Sequence, residues 1–273
     1  MTRPDSIRVD VNLVLIPVLV TGPDERPVRG LQKSNFHVFE DGVEREISQF
    51  FSEESPISIG IVFDTSNSMR HKMDQSIAAV KEFLTLSLPG DEFFLMKFND
   101  RPESVCSFTK NPDDIEASLP YLRAEGWTAL FDGIYLAVNH MKHATNGRKV
   151  LLVLSDGGDN NSRFSEREIT NLIKEADVRI FSISILEKSH FLEALAEESG
   201  GRAYSVRTLA ELPELAANVS LELHSEYVLG FAPAKGAAAD GKYRKVKVGV
   251  TPSEAGGPPL RASWKRGYYT PAP

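Results

Sequence analysis

The eight residues Ile57-Ser58-Ile59-Gly60-Ile61-Val62-Phe63-Asp64 limit what this chain can become. A nearly unbroken apolar, β-branched run of that length reads as a strand buried on both faces. Such a strand needs cover on both sides, which points to a doubly wound α/β sheet. The run stops abruptly in Asp64-Thr65-Ser66-Asn67-Ser68, and a helical pattern follows. Ligands of open α/β sheets bind at the carboxyl ends of strands. Here that end presents one carboxylate and two hydroxyls on a short loop. These are hard oxygen donors of the kind a small divalent cation such as Mg2+ takes, with water or a partner's oxygen filling the rest of its octahedron.

At 273 residues, one or two domains are expected. A hydrophobic share of 41% and a charged share of 25% are ordinary for a globular protein. The formal charge of −7 and the absence of a basic stripe with interleaved aromatics disfavour nucleic acid as a partner. One cysteine, Cys106, excludes an internal disulfide and reads as a small buried hydrophobe. No signal peptide is visible at Met1-Thr2-Arg3-Pro4-Asp5. The apolar run Val11 to Val20 contains Pro17 and is too short to span a bilayer, so no membrane span is expected. This start is compatible with a cytoplasmic protein and with one whose targeting segment has been removed.

Taken in order, Ile7 to Val20 reads as one long strand, or as two with a bend at Pro17. Asn35 to Phe50 reads as a β-hairpin, with Asp41-Gly42 as its left-handed turn. From Ile57 strands and helices alternate. Helices are predicted over Met69–Leu88, Asp113–Leu122, Leu130–His143, Ser165–Glu175, Phe191–Ser199 and Leu209–Leu223. Ser165 and Glu168 form a capping box. Strands are predicted over Glu92–Phe98, Glu103–Phe108 (at an edge), Lys149–Leu154, Val178–Ile185 and Ala203–Val206. After Glu226 the pattern is β again, over Tyr227–Phe231, Tyr243–Val250 and Leu260–Tyr269, with Lys235 to Gly241 as a flexible loop. Neither β end has enough strands to close a sandwich alone. The economical fold is a doubly wound, mostly parallel α/β domain (55–224) inserted in a β-sandwich built from residues 1–54 and 225–273.

Three places project oxygen ligands from strand ends or adjoining loops: Asp64-x-Ser66-x-Ser68, Thr128 after Gly126-Trp127, and Asp156 in Leu154-Ser155-Asp156-Gly157. Each has a plainer reading alone. Ser66 or Ser68 suits a helix cap, Thr128 an N-cap, and Ser-Asp-Gly a turn. Their combination is the specific signal. Asp159, Asn160 and Asn161 read as a polar rim or a second ion site, and Asp132 as a helix-start carboxylate. His140 and His143 share a helix face without metalloenzyme spacing and read as a solvated face. Trp127 suits the core or an exposed contact at the site mouth.

The set Asp64, Ser66, Ser68, Thr128 and Asp156 resembles the metal-ion-dependent adhesion site of von Willebrand factor type A domains, over Ile57 to about Leu223. The flanks, Phe36 to Gly42 and Arg266 to Tyr269, look like those of a bacterial subgroup of such proteins. The resemblance implies Mg2+ (or Mn2+ or Ca2+) at these five residues, with Ser66, Ser68 and Thr128 touching the metal and Asp64 and Asp156 often acting through waters. It also implies a protein partner whose Asp or Glu completes the shell, an extracytoplasmic setting, and a last helix (Leu209–Leu223) that shifts with the metal shell. The chain then reads as a binding module rather than an enzyme. The competing class is a metal-dependent phosphoryl hydrolase with Asp64 as nucleophile, although Ser66 stands where a second Asp is wanted. No phosphate-cradling Gly-x-x-x-x-Gly-Lys-Ser/Thr loop is present. An adaptor subunit for a separate ATPase is the third reading.

Overall fold

The computed structural model describes residues 13–52, 56–234, 240–253 and 256–270. The chain opens with β1 (Val14–Thr21), β2 (Phe36–Glu40), β3 (Val43–Arg45) and β4 (Ile47–Phe51). The alternating segment follows: β5 (Ile57–Asp64), α1 (Met73–Thr85), β6 (Glu92–Phe98), β7 (Pro102–Thr109), α2 (Pro112–Ser118), α3 (Leu130–His140), β8 (Arg148–Ser155), α4 (Glu166–Glu175), β9 (Arg179–Ile185), α5 (His190–Ser199), β10 (Arg202–Val206) and α6 (Leu212–Leu223). The chain closes with β11 (Tyr227–Phe231), β12 (Tyr243–Val250), β13 (Arg261–Trp264) and β14 (Gly267–Tyr269).

The alternating segment forms a six-stranded sheet in the order β10-β9-β8-β5-β6-β7. It is parallel except for β7, which pairs antiparallel with β6 at the edge. Alternation along β5 divides the core in two. Ile57, Ile59, Ile61 and Phe63 pack with α1, α2 and α6, whereas Val62 packs on the opposite face with α3, α4 and α5. Every residue of β5 is buried, as its composition demands.

The chain ends build two antiparallel sheets, β13-β1-β11-β4 and β14-β12-β2-β3. Each mixes strands from before and after the α/β segment. Their facing residues, among them Val18, Leu229 and Phe231 of one sheet and Val38, Val246 and Val248 of the other, share a single apolar cluster.

Local differences from the sequence reading have physical reasons. The strand predicted from Ile7 is described only from Val14, because residues 1–12 lie outside the described part. Within it β1 runs unbroken through Pro17. The β13 pairing begins only at Val18, so the missing amide of Pro17 spoils no ladder bond on that side. The hairpin turns at Asp41 and Gly42, both with positive φ, but its second arm divides. Val43–Arg45 pairs with β2, whereas Ile47–Phe51 crosses to pair with β11. Leu260–Tyr269 likewise splits into β13 and β14, one in each sheet. Cys106 sits half-buried on the edge strand β7 rather than in the core. Most of the loop predicted at Lys235 to Gly241 lies outside the described residues.

The α/β segment joins the rest at the foot of the sheet, opposite the strand ends that bear Asp64 and Asp156. Asp91 accepts from the amides of Ile57 and Leu88 and contacts His224 Nε2 at 2.9 Å. Buried Glu226, between α6 and β11, is shared by Arg148 and Arg179.

Candidate metal centre

β5 and β8 run parallel in contact, with Phe63 beside Leu154, so Asp64 and Ser155 end level. The Ser155 hydroxyl donates to Asp64 Oδ2 at 2.6 Å, and the Ser66 amide donates to Asp64 Oδ1 at 2.9 Å. Asp64 is fully buried, and the donors it receives are neutral. Burial pushes its pKa up to about 6, against the lowering effect of those hydrogen bonds.

The chain then enters a short 3-10 turn, Asn67–Met69, and α1 begins only at Met73, four residues later than the sequence pattern predicts. The plain reading of Ser66 and Ser68 as helix caps fails for this reason. Ser66 stands at the cap of the 3-10 turn without a side-chain cap bond, and Lys72 occupies the cap of α1. The two hydroxyls instead lie 2.9 Å from each other, Ser66 buried and Ser68 exposed.

Backbone bonds stitch the Thr128 loop onto this loop. Glu125 N donates to Thr65 O at 2.8 Å and Asn67 N to Gly126 O at 3.1 Å, while Ala129 N ties the same loop to Asn99 O, just past β6, at 2.8 Å. Gly126 has φ +75°, and a Cβ there would meet the Asp100 carboxylate at 2.7–2.8 Å. That carboxylate accepts the Trp127 amide at 2.7 Å. Thr128 is buried, with its amide on Asn160 Oδ1 and its carbonyl accepting the amides of Asn160 and Asn161. The rim residues therefore position Thr128. Asp159 accepts from Phe131 N and Ser162 Oγ, and Asp132 from the amides of Arg163 and Phe164. Both tie loops to α3.

Asp156 is partly buried one residue beyond Ser155, and the Lys72 ammonium contacts its Oδ2 at 2.8 Å. Sequence reasoning missed Lys72 and Ser155. The signal for Ser155 was available in its position directly before Asp156 at the end of a buried strand. Lys72, by contrast, is aimed at the site only because α1 starts late. Trp127 is 64% exposed at the mouth of the loop, which settles its two readings in favour of a surface position. The solvated face expected of His140 and His143 holds only for His143, which is exposed; His140 packs against Phe94 and Phe108, and burial lowers its pKa. Among the described residues, no three His, Cys, Asp or Glu side chains cluster as metal ligands. Any cation at this edge therefore depends on hydroxyls together with Asp64 and Asp156.

Residues 59–158 match the family profile of the von Willebrand factor type A domain. Around this match the α/β segment has a von Willebrand factor type A-like fold. The chain is 26% identical over 209 residues to an uncharacterized protein of Borreliella burgdorferi, which covers 70% of this chain and 61% of that protein. The chain thus spans about three fifths of that relative's length. A von Willebrand factor type A structure from Catenulispora acidiphila is similar over 95% of this chain and 74% of its own, at 14% identity and a TM-score of 0.57. Proximal thread matrix protein 1 from the mussel byssus is similar over 68% of this chain and 51% of its own, at 17% identity and a TM-score of 0.55. At these identities the likeness is one of fold.

Proposed function

We propose that this chain is a divalent-metal-dependent protein-binding module. Ser66, Ser68 and Thr128 would hold a Mg2+ ion, Asp64 and Asp156 would balance its charge, and an Asp or Glu of a partner protein would complete its coordination. The carrying observation is the pair of serine hydroxyls 2.9 Å apart, spent on no helix cap, beside a buried carboxylate that receives only neutral donors. That donor set suits a hard cation. Bound there, the cation supplies an electrophilic point for an anionic ligand. Ser155 and the Ser66 amide fix the Asp64 carboxylate, while Asn160 and Asn161 fix Thr128. Outer contacts of this kind orient ligands and tune their affinity.

A hydrolase using Asp64 as nucleophile is the weaker reading. Both of its oxygens accept hydrogen bonds and the side chain is fully buried, so no oxygen is presented for attack. The binding reading is tested by affinity capture of partners from cells that make the protein, in Mg2+ and in EDTA, with Asp64→Ala alongside. A partner retained by the wild type in Mg2+ alone supports it. A partner retained equally in EDTA and by Asp64→Ala contradicts it.

A further inference from the structure

Lys72 brings a positive charge of the protein's own into the proposed centre. Its backbone is held on both sides: its amide donates to Met69 O at 2.7 Å, and its carbonyl accepts the amide and hydroxyl of Ser76 at 3.0 and 2.9 Å. The side chain therefore leaves the chain from a fixed point. Its ammonium meets Asp156 Oδ2 at 2.8 Å, with the two side chains 15% and 11% exposed. A pair so withdrawn from water is weakly screened by salt. Asp156 is also one of the two carboxylates assigned to the cation. Two cations drawing on one carboxylate are thermodynamically coupled, and each weakens the other's binding by the same factor.

We infer that Lys72 is an internal counter-cation that competes with the divalent ion for Asp156, and so sets the affinity and charge selectivity of the centre. This rests on the metal-binding reading of the same site. The ammonium already meets part of the demand of Asp156 for positive charge. A monovalent ion gains little by entering, whereas a divalent ion outweighs the lysine's repulsion. Lys72 accordingly makes the centre one that fills only at substantial concentrations of a doubly charged ion.

Titration calorimetry with MgCl2 tests this on the wild type, on Lys72→Met, which keeps the stem and removes the charge, and on Lys72→Gln, which keeps a donor for Asp156. Both variants are expected to bind Mg2+ at least about tenfold more tightly than the wild type. The gain in melting temperature on adding Mg2+ is expected to be larger in Lys72→Met than in the wild type. A lysine with a merely structural role would lower stability without tightening metal binding. Mg2+ bound by all three proteins with equal affinity, or more weakly by the variants, overturns the role of Lys72 and leaves the metal reading standing. Absence of Mg2+ binding and of any Mg2+-dependent melting shift in all three overturns both.

Discussion

The Ser155 hydroxyl donates to Asp64 Oδ2 at 2.6 Å, joining the carboxyl ends of two adjacent buried strands through side chains 91 residues apart in sequence. This bond fixes the carboxylate from which the rest of the centre is laid out. Ser155→Ala removes the donor and leaves a buried carboxylate oxygen unsatisfied. A loss of about 1–3 kcal/mol in unfolding free energy is expected, read from urea denaturation. Mg2+ affinity is expected to fall with it.

Gly126 sets the path of the Thr128 loop. At φ +75°, with a would-be Cβ within 2.7–2.8 Å of the Asp100 carboxylate, Gly126→Ala forces either the loop or Asp100 to move. The expected cost is about 1–3 kcal/mol, together with weakened Mg2+ binding. Unchanged stability and unchanged metal affinity would show that the loop does not depend on this glycine.

Trp127 stands 64% exposed beside Thr128, where packing within the chain does not explain it. Trp127→Ala is expected to leave stability within about 0.5 kcal/mol of wild type. It is expected to weaken partner binding by at least about tenfold, as loss of an aromatic anchor does. Surface plasmon resonance with the captured partner measures this, and an unchanged dissociation constant removes Trp127 from the interface.

Acid should loosen the foot of the sheet. Burial alone would raise the Glu226 pKa, but the charges of Arg179 and Arg148 outweigh it and hold the carboxyl below its usual range. Asp91 is lowered in the same net sense by its bonds to His224, Leu88 and Ile57 against the effect of burial. For a depressed carboxyl the unfolded chain takes up protons first as pH falls. The stabilisation is therefore complete above roughly pH 5 and is lost progressively below roughly pH 4. Glu226→Gln removes the carboxylate that both guanidiniums share, at an expected cost of about 3–5 kcal/mol near neutral pH. It should also flatten the decline of the urea midpoint between pH 5 and 3, and equal slopes in the two proteins would contradict the assignment. Because Glu226 and His224 lie between α6 and β11, a shift of α6 against that strand has to disturb these bonds.

The α/β sheet was legible because buried parallel strands are nearly uniform in composition, as β5 and β8 are. The three loops that carry the proposed ligands could be picked out because each follows such a strand or opens a helix at a fixed offset. The path of the terminal strands was not. Nothing local distinguishes Val43–Arg45 from Ile47–Phe51, although they lie in different sheets, because that choice is made by the distant strands β2 and β11. Lys72 was invisible for a related reason. The helical pattern continues back to Met69, and only the 3-10 turn at Asn67–Met69 shows that Lys72 lies before α1 and faces Asp156.

Whether one divalent ion sits among Ser66, Ser68 and Thr128 can be read from an anomalous difference map of crystals grown in Mn2+. A single strong peak is expected at the carboxyl ends of β5 and β8, within about 2.0–2.3 Å of the Ser66 and Ser68 hydroxyl oxygens. A map with no peak there, or with Mn2+ held only elsewhere on the molecule, would contradict it.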